Sequence, residues 1–71
     1  MWTEGTINGY KYWVKYYENG SEFGIDEGRI SKLTIRKAGA TCDLCNYDRG
    51  WDVEPTADVM EIYQQLLEKY N

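Results

Sequence analysis

Polar and apolar positions alternate along much of this chain, and near the C-terminus the spacing changes from two residues to three or four. The clearest alternation is Tyr10–Tyr17, YKYWVKYY. Successive side chains of a strand point to opposite faces. Tyr10, Tyr12, Val14 and Tyr16 therefore share one face, and Lys11, Trp13, Lys15 and Tyr17 the other. The first set suits a core, while the second mixes cations with large rings and suits an exposed surface. Before it, Trp2–Ile7 reads as a strand with Trp2, Glu4 and Thr6 opposite Thr3, Gly5 and Ile7. Asn8-Gly9 joins the two, and Asn-Gly supplies the positive φ angles of a type I′ hairpin turn.

A third strand spans about Arg29 to Lys37, with Ser31, Leu33 and Ile35 facing away from Lys32, Thr34 and Arg36. Ile30 is out of phase with that pattern, which predicts a bulge near Ser31. Glu18–Ser21 reads as a turn, Glu22–Gly28 as a loop or short extended piece, and Ala38–Thr41 as a further turn. A fourth strand is expected over Cys45–Asp52, with Cys45, Tyr47, Arg49 and Trp51 on one face. Pro55 then opens a helix, since proline fits a first helical turn. Val59, Ile62, Tyr63, Leu66 and Tyr70 form its apolar stripe, widened by Leu67.

The pattern predicts one α+β domain over residues 1–71: a four-stranded, mainly antiparallel sheet with one C-terminal helix on one face, in the order β-β-β-β-α. One helix covers one face of such a sheet. It should dock on Tyr10, Tyr12, Val14 and Tyr16. The other face is left for water, another protein, or a second copy in a homodimer.

Composition narrows the function. A 71-residue chain hides only about 60% of its unfolded surface, and seven Tyr and three Trp enlarge a small core. The formal charge is −4, from eight Lys and Arg against twelve Asp and Glu. That balance opposes non-specific binding to nucleic acid or an anionic membrane. No apolar run approaches the ~20 residues of a membrane span, and no secretory signal precedes the first strand. The expectation is an intracellular, cytoplasmic protein.

Candidate chemistry is sparse. Cys42 and Cys45 have CxxC spacing, which suits two ligands of one zinc. With no other Cys and no His in the chain, a full site would need two chains sharing the ion; otherwise the pair is ordinary small apolar side chains. A redox role lacks its usual βαβ context. Carboxylates such as Glu22, Asp26, Glu27, Asp48 and Asp52 have no spacing that makes them converge, and Gly24–Gly28 lacks the Lys and Ser/Thr of a phosphate-binding loop. Catalysis is not expected, and neither is a cofactor.

Two surface sets are left. Lys11, Trp13, Lys15 and Tyr17 could form a protein contact, where aromatic and cationic residues concentrate binding energy. They could stack single-stranded bases, or be a plain strand surface. Arg49 and Trp51, flanked by Asp48 and Asp52, either stabilise a sheet end or extend the Trp13 patch.

Three fragments carry a resemblance: Gly24–Leu33 (GIDEGRISKL), Tyr47–Trp51 (YDRGW), and the Pro-opened helix ending Tyr63–Tyr70. Together the chain resembles small single-domain proteins of uncharacterised function from Gram-positive bacteria and their phages. The resemblance implies a bacterial or phage setting. It suggests an acidic, anti-CRISPR-like inhibitor that binds a host defence nuclease by mimicking phosphate charge. It assigns no role to any residue.

Overall fold

The computed structural model describes all residues from Met1 to Asn71. Its strands are β1 (Trp2–Ile7), β2 (Tyr10–Tyr16), β3 (Ile30–Lys37), β4 (Asp43–Asp48) and β5 (Trp51–Val53), and helix α1 spans Met60–Tyr70. The strands form one antiparallel sheet in the order β1-β2-β3-β4-β5. Each strand thus pairs with its neighbour in sequence, a meander with short connections.

Asn8 and Gly9 form the first turn, with φ of 52° and 82°. Both angles are positive, as a type I′ turn requires. The two-residue loop fixes the register of β1 on β2: Ile7 faces Tyr10, Glu4 faces Trp13 and Trp2 faces Lys15. The expected irregularity at Ser31 is present. Lys15 pairs with Lys32 but Tyr16 pairs with Ile30, so Ser31 is the extra residue. The bulge returns Ile30 to the core side, where it is buried beside Leu33 and Ile35.

The sheet has five strands where the sequence pattern predicted four. The expected strand Cys45–Asp52 breaks into β4 and β5 around Arg49-Gly50. Arg49 takes φ of 56° and donates its N–H to the Ser31 carbonyl at 3.0 Å. A residue anchored in that conformation cannot continue a strand, so the chain reverses and Trp51 lands opposite Tyr47. The helix also begins later than Pro55. Thr56 is extended (φ −73°, ψ 165°) and its N–H bonds the Leu44 carbonyl at 3.2 Å. That bond holds the strap after β5 against β4. A 3₁₀ turn at Ala57–Val59 then leads into α1.

The helix docks where the stripe predicts. Val59, Ile62 and Leu66 are buried with Val14, Ile25, Ile30, Leu33, Ile35, Cys45 and Tyr47. Tyr10, Tyr12, Tyr16, Tyr63, Leu67 and Tyr70 close the rim. Rings meet across it: Tyr16 lies 4.9 Å from Tyr70, centre to centre, and Trp51 stands edge-on to Tyr47 at 4.9 Å and Tyr63 at 5.7 Å. Such pairs add about 0.5–1.5 kcal/mol beyond area burial.

The loop Glu22–Gly28 is a 3₁₀ turn at Ile25–Glu27, not an extended piece. Ile25 plugs into the core, and Asp26 and Glu27 both take positive φ, 52° and 58°. Non-glycine residues reach that region at a cost. Three contacts hold them there. The Tyr47 hydroxyl donates to the Phe23 carbonyl at 2.8 Å. Asn71 accepts from the Ile30 N–H and donates to the Ile25 carbonyl, each at 3.0 Å. Gly24 and Gly28 leave the room this requires: a side chain at Gly28 would collide with Asn71, and one at Gly24 with the Gly28 carbonyl.

Candidate functional site

Since α1 covers one sheet face, the other is left open. Strand register arranges its side chains in three rows. One row holds Thr6, Lys11, Arg36 and Asp43; the next Glu4, Trp13, Thr34 and Asn46; the third Trp2, Lys15, Lys32 and Asp48. Trp13 occupies the middle. The expected surface of Lys11, Trp13, Lys15 and Tyr17 therefore lies on this uncovered side.

The register brings in groups that the β2 pattern alone does not show. The Arg36 guanidinium lies over the Trp13 ring, 5.6 Å from its centre. Asp43 pairs with the same Arg36 and accepts from Asn46 Nδ2 at 2.7 Å. Burial works to raise the Asp43 pKa, but the hydrogen bonds from Arg36 and Asn46 and the Arg36 charge outweigh it, so its carboxyl sits below the usual value. Lys15 sits between two rings, 5.8 Å from Trp2 and 5.7 Å from Tyr17. Lys32 faces Asp48 at 3.7 Å. Lys11 and Lys15 have no carboxylate partner.

Trp2, Glu4 and Arg36 are the members that strand alternation missed. The Asn8-Gly9 signal was enough to find Trp2 and Glu4. A two-residue turn pairs Ile7 with Tyr10, and counting outward sets Glu4 beside Trp13 and Trp2 beside Lys15. Arg36 has no comparable signal, because the β2–β3 register depends on the long loop between those strands.

Three shallow depressions mark the surface, and Trp13 lines all of them. Glu4, Gly5, Thr6, Lys11 and Tyr12 bound the first; Trp2, Thr3 and Glu4 the second; Trp2, Thr34 and Arg36 the third. Their volumes are about 260, 400 and 270 Å³. Small-molecule sites are clefts of ~300–1,000 Å³ that enclose most of their ligand. Two fall below that range and all three are open rather than enclosing, closer to the relief of a contact surface.

The second expected patch is not continuous with the first. Trp51 lies on the helix side, against Tyr47 and Tyr63. The reason is its pairing with Tyr47, a core residue, since directly opposed residues share a face. Arg49 sits exposed in the β4–β5 turn and reaches Asp48 at 3.9 Å, not the Trp51 ring.

The cysteines part company too. Cys42 is exposed before β4, while Cys45 is fully buried. Burial, reinforced by the nearby Asp43 charge, pushes the Cys45 thiol up to about 12. A zinc shared between chains needs both thiolates at the surface, so this arrangement does not fit one. No group of three or more Cys, Asp or Glu side chains is placed to hold a metal ion. No helix is long and apolar enough to cross a membrane.

Comparison with known proteins adds a family. No curated protein and no solved structure matches the chain. A family model described as a domain of unknown function, DUF7678, matches residues 1–71, and the chain belongs to that family.

Proposed function

We propose that this domain is a non-catalytic protein-binding module whose contact surface is the open sheet face centred on Trp13. The observation that carries the reading is the convergence of the molecule's depressions on that one ring. Trp13 has Arg36 over it, two unpaired lysines beside it on the strand, and Glu4 across from it. Contact energy in protein interfaces concentrates in such Trp, Tyr and Arg clusters. The wider face carries both signs of charge: Lys11, Lys15, Lys32 and Arg36 against Glu4, Asp43 and Asp48. That mixture suits a partner with its own mixed charges better than a polyanion.

Single-stranded nucleic acid is the competing occupant. Against it, Arg36 already lies over the Trp13 ring that would stack bases. Only two face cations are free to meet phosphate, which sets a salt slope of only about 1.4. The lack of His and the spread of the carboxylates support the non-catalytic part. The resemblance to phage-associated domains makes a host defence nuclease one candidate partner. The test is affinity capture from nuclease-treated bacterial lysate. A stoichiometric protein, lost with Trp13→Ala, is the expected result; capture of nucleic acid alone from untreated lysate would replace the reading.

A further inference from the structure

We infer that the free edge of β1 is a second recognition element, which takes an extended segment of another protein bearing a cation opposite Glu4 and rejects a second copy of this chain. The inference rests on the protein-binding reading and adds a docking mode to it. Strand order leaves β1 and β5 at the sheet edges. The β5 edge is protected in the usual ways: it is three residues long, its register is broken, and Asp52, Glu54 and Pro55 crowd it. The β1 edge is long and regular, and its one charged side chain, Glu4, is the only such device. It runs six residues in unbroken register, without Lys or Pro.

Hydrogen bonding shows what that edge presents. Met1 and Tyr16 exchange both bonds, the Met1 amine donating to the Tyr16 carbonyl at 2.7 Å and the Tyr16 N–H to the Met1 carbonyl at 2.9 Å. Bonded and non-bonded pairs alternate in an antiparallel ladder. Thr3, Gly5 and Ile7 therefore bond toward β2, and Trp2, Glu4 and Thr6 direct their N–H and carbonyl groups outward. The side chains of these three are exposed on the open face. An added strand would meet a template of backbone groups and lay alternate side chains beside Trp2, Glu4 and Thr6.

Glu4 decides which strand fits. Pairing β1 with itself through all three outward residues sets Glu4 directly opposite Glu4, and like charges there are destabilising. Sliding by two residues relieves the clash but leaves one outward residue of each copy unpaired. Sliding by one puts the side chains on the wrong faces. An incoming Lys or Arg at that position instead meets a carboxylate with no ion pair in its own chain. Beyond Glu4 lies the depression lined by Trp2, Thr3 and Trp13.

The experiment uses short capped peptides of alternating Thr and Val with Lys, Gln or Glu at the centre, titrated into the full chain by NMR with amide exchange. The Lys peptide should slow exchange at Trp2, Glu4 and Thr6 and bind about 5-fold tighter than the Glu peptide. Glu4→Lys should reverse that order, and Glu4→Gln should dimerise at concentrations where the parent stays monomeric. No protection at saturating peptide, or equal affinity for the Lys and Glu peptides, would overturn the inference. So would an unchanged monomer for Glu4→Gln. Shifts confined to Lys11, Trp13 and Lys15 would remove the edge while leaving the open-face reading standing.

Discussion

Replacing Asn71 by Ala should cost this domain far more than an ordinary surface substitution. The Asn71 side chain accepts from the Ile30 N–H and donates to the Ile25 carbonyl, both at 3.0 Å. Ile25 and Ile30 are 1% and 0% exposed, so neither backbone group finds water easily once the amide is gone. A buried unsatisfied donor or acceptor costs about 1–3 kcal/mol. Partial hydration of the two freed groups keeps the combined loss near about 2–4 kcal/mol. A core of this size leaves about 3–5 kcal/mol in total, so the variant should be largely destabilised. The first part to go should be the Ile25–Glu27 turn, which holds Asp26 and Glu27 at positive φ. Urea denaturation followed by tryptophan fluorescence measures the loss, and the melting temperature should fall by about 8–32 °C. Asn71→Asp should fall in between, since it keeps an acceptor for Ile30 and loses the donor to Ile25. A loss below about 0.5 kcal/mol for Asn71→Ala would refute the claim that this side chain satisfies the loop.

The other predictions concern the cysteines and the Asp43 pair. A thiol reagent should label Cys42 quickly in the native protein and Cys45 only on unfolding, because Cys45 is buried and raised to about 12; two equally fast thiols would contradict the packing. That raised value also means Cys45 favours the fold below its ordinary pKa of 9.0 and the contribution fades as pH climbs toward about 12, so Cys45→Ala should flatten alkaline destabilisation. Asp43 works in the opposite sense: its lowered pKa contributes stability above the ordinary value of 3.8 that is lost as pH falls through the folded value. Asp43→Asn should therefore be less stable than the parent at neutral pH, by up to about 1 kcal/mol for a part-exposed pair, and the difference should shrink in an acid titration of the melting temperature.

How much of this could be read from the sequence depended on how local each cause was. The Asn8-Gly9 turn, the alternation of β2 and the α1 stripe are set by neighbouring residues, and each lies where the pattern put it. The Ser31 bulge was legible because Ile30 broke phase. The β4–β5 turn was not: Arg49 adopts positive φ through a bond to Ser31, eighteen positions earlier in the chain and on another strand. Trp51 does share the face of Cys45 and Tyr47, as the alternation put it; the turn removes Arg49 from that face, so the two do not form one patch with Trp13. Pro55 looked like a helix start, and only the Thr56–Leu44 bond shows why the strap is extended. For the site, the open face and its β2 residues were visible. The Arg36–Trp13 contact and the isolation of Lys11 and Lys15 from any carboxylate required the three-dimensional register.

The central claim is that the face around Trp13 serves binding and the opposite face serves folding. Its most direct test measures both properties on one set of variants. Trp13→Ala should lower stability by no more than about 2 kcal/mol, since its two cross-strand pairs, with Glu4 and Thr34, contribute about 0.2–1 kcal/mol each, yet abolish capture of the protein partner. Gln64→Ala, exposed on helix α1 and so across the sheet from the open face, should leave both unchanged. If Trp13→Ala unfolds the domain, or if it still captures the same partner at parental yield, the assignment of the open face as the contact surface is wrong.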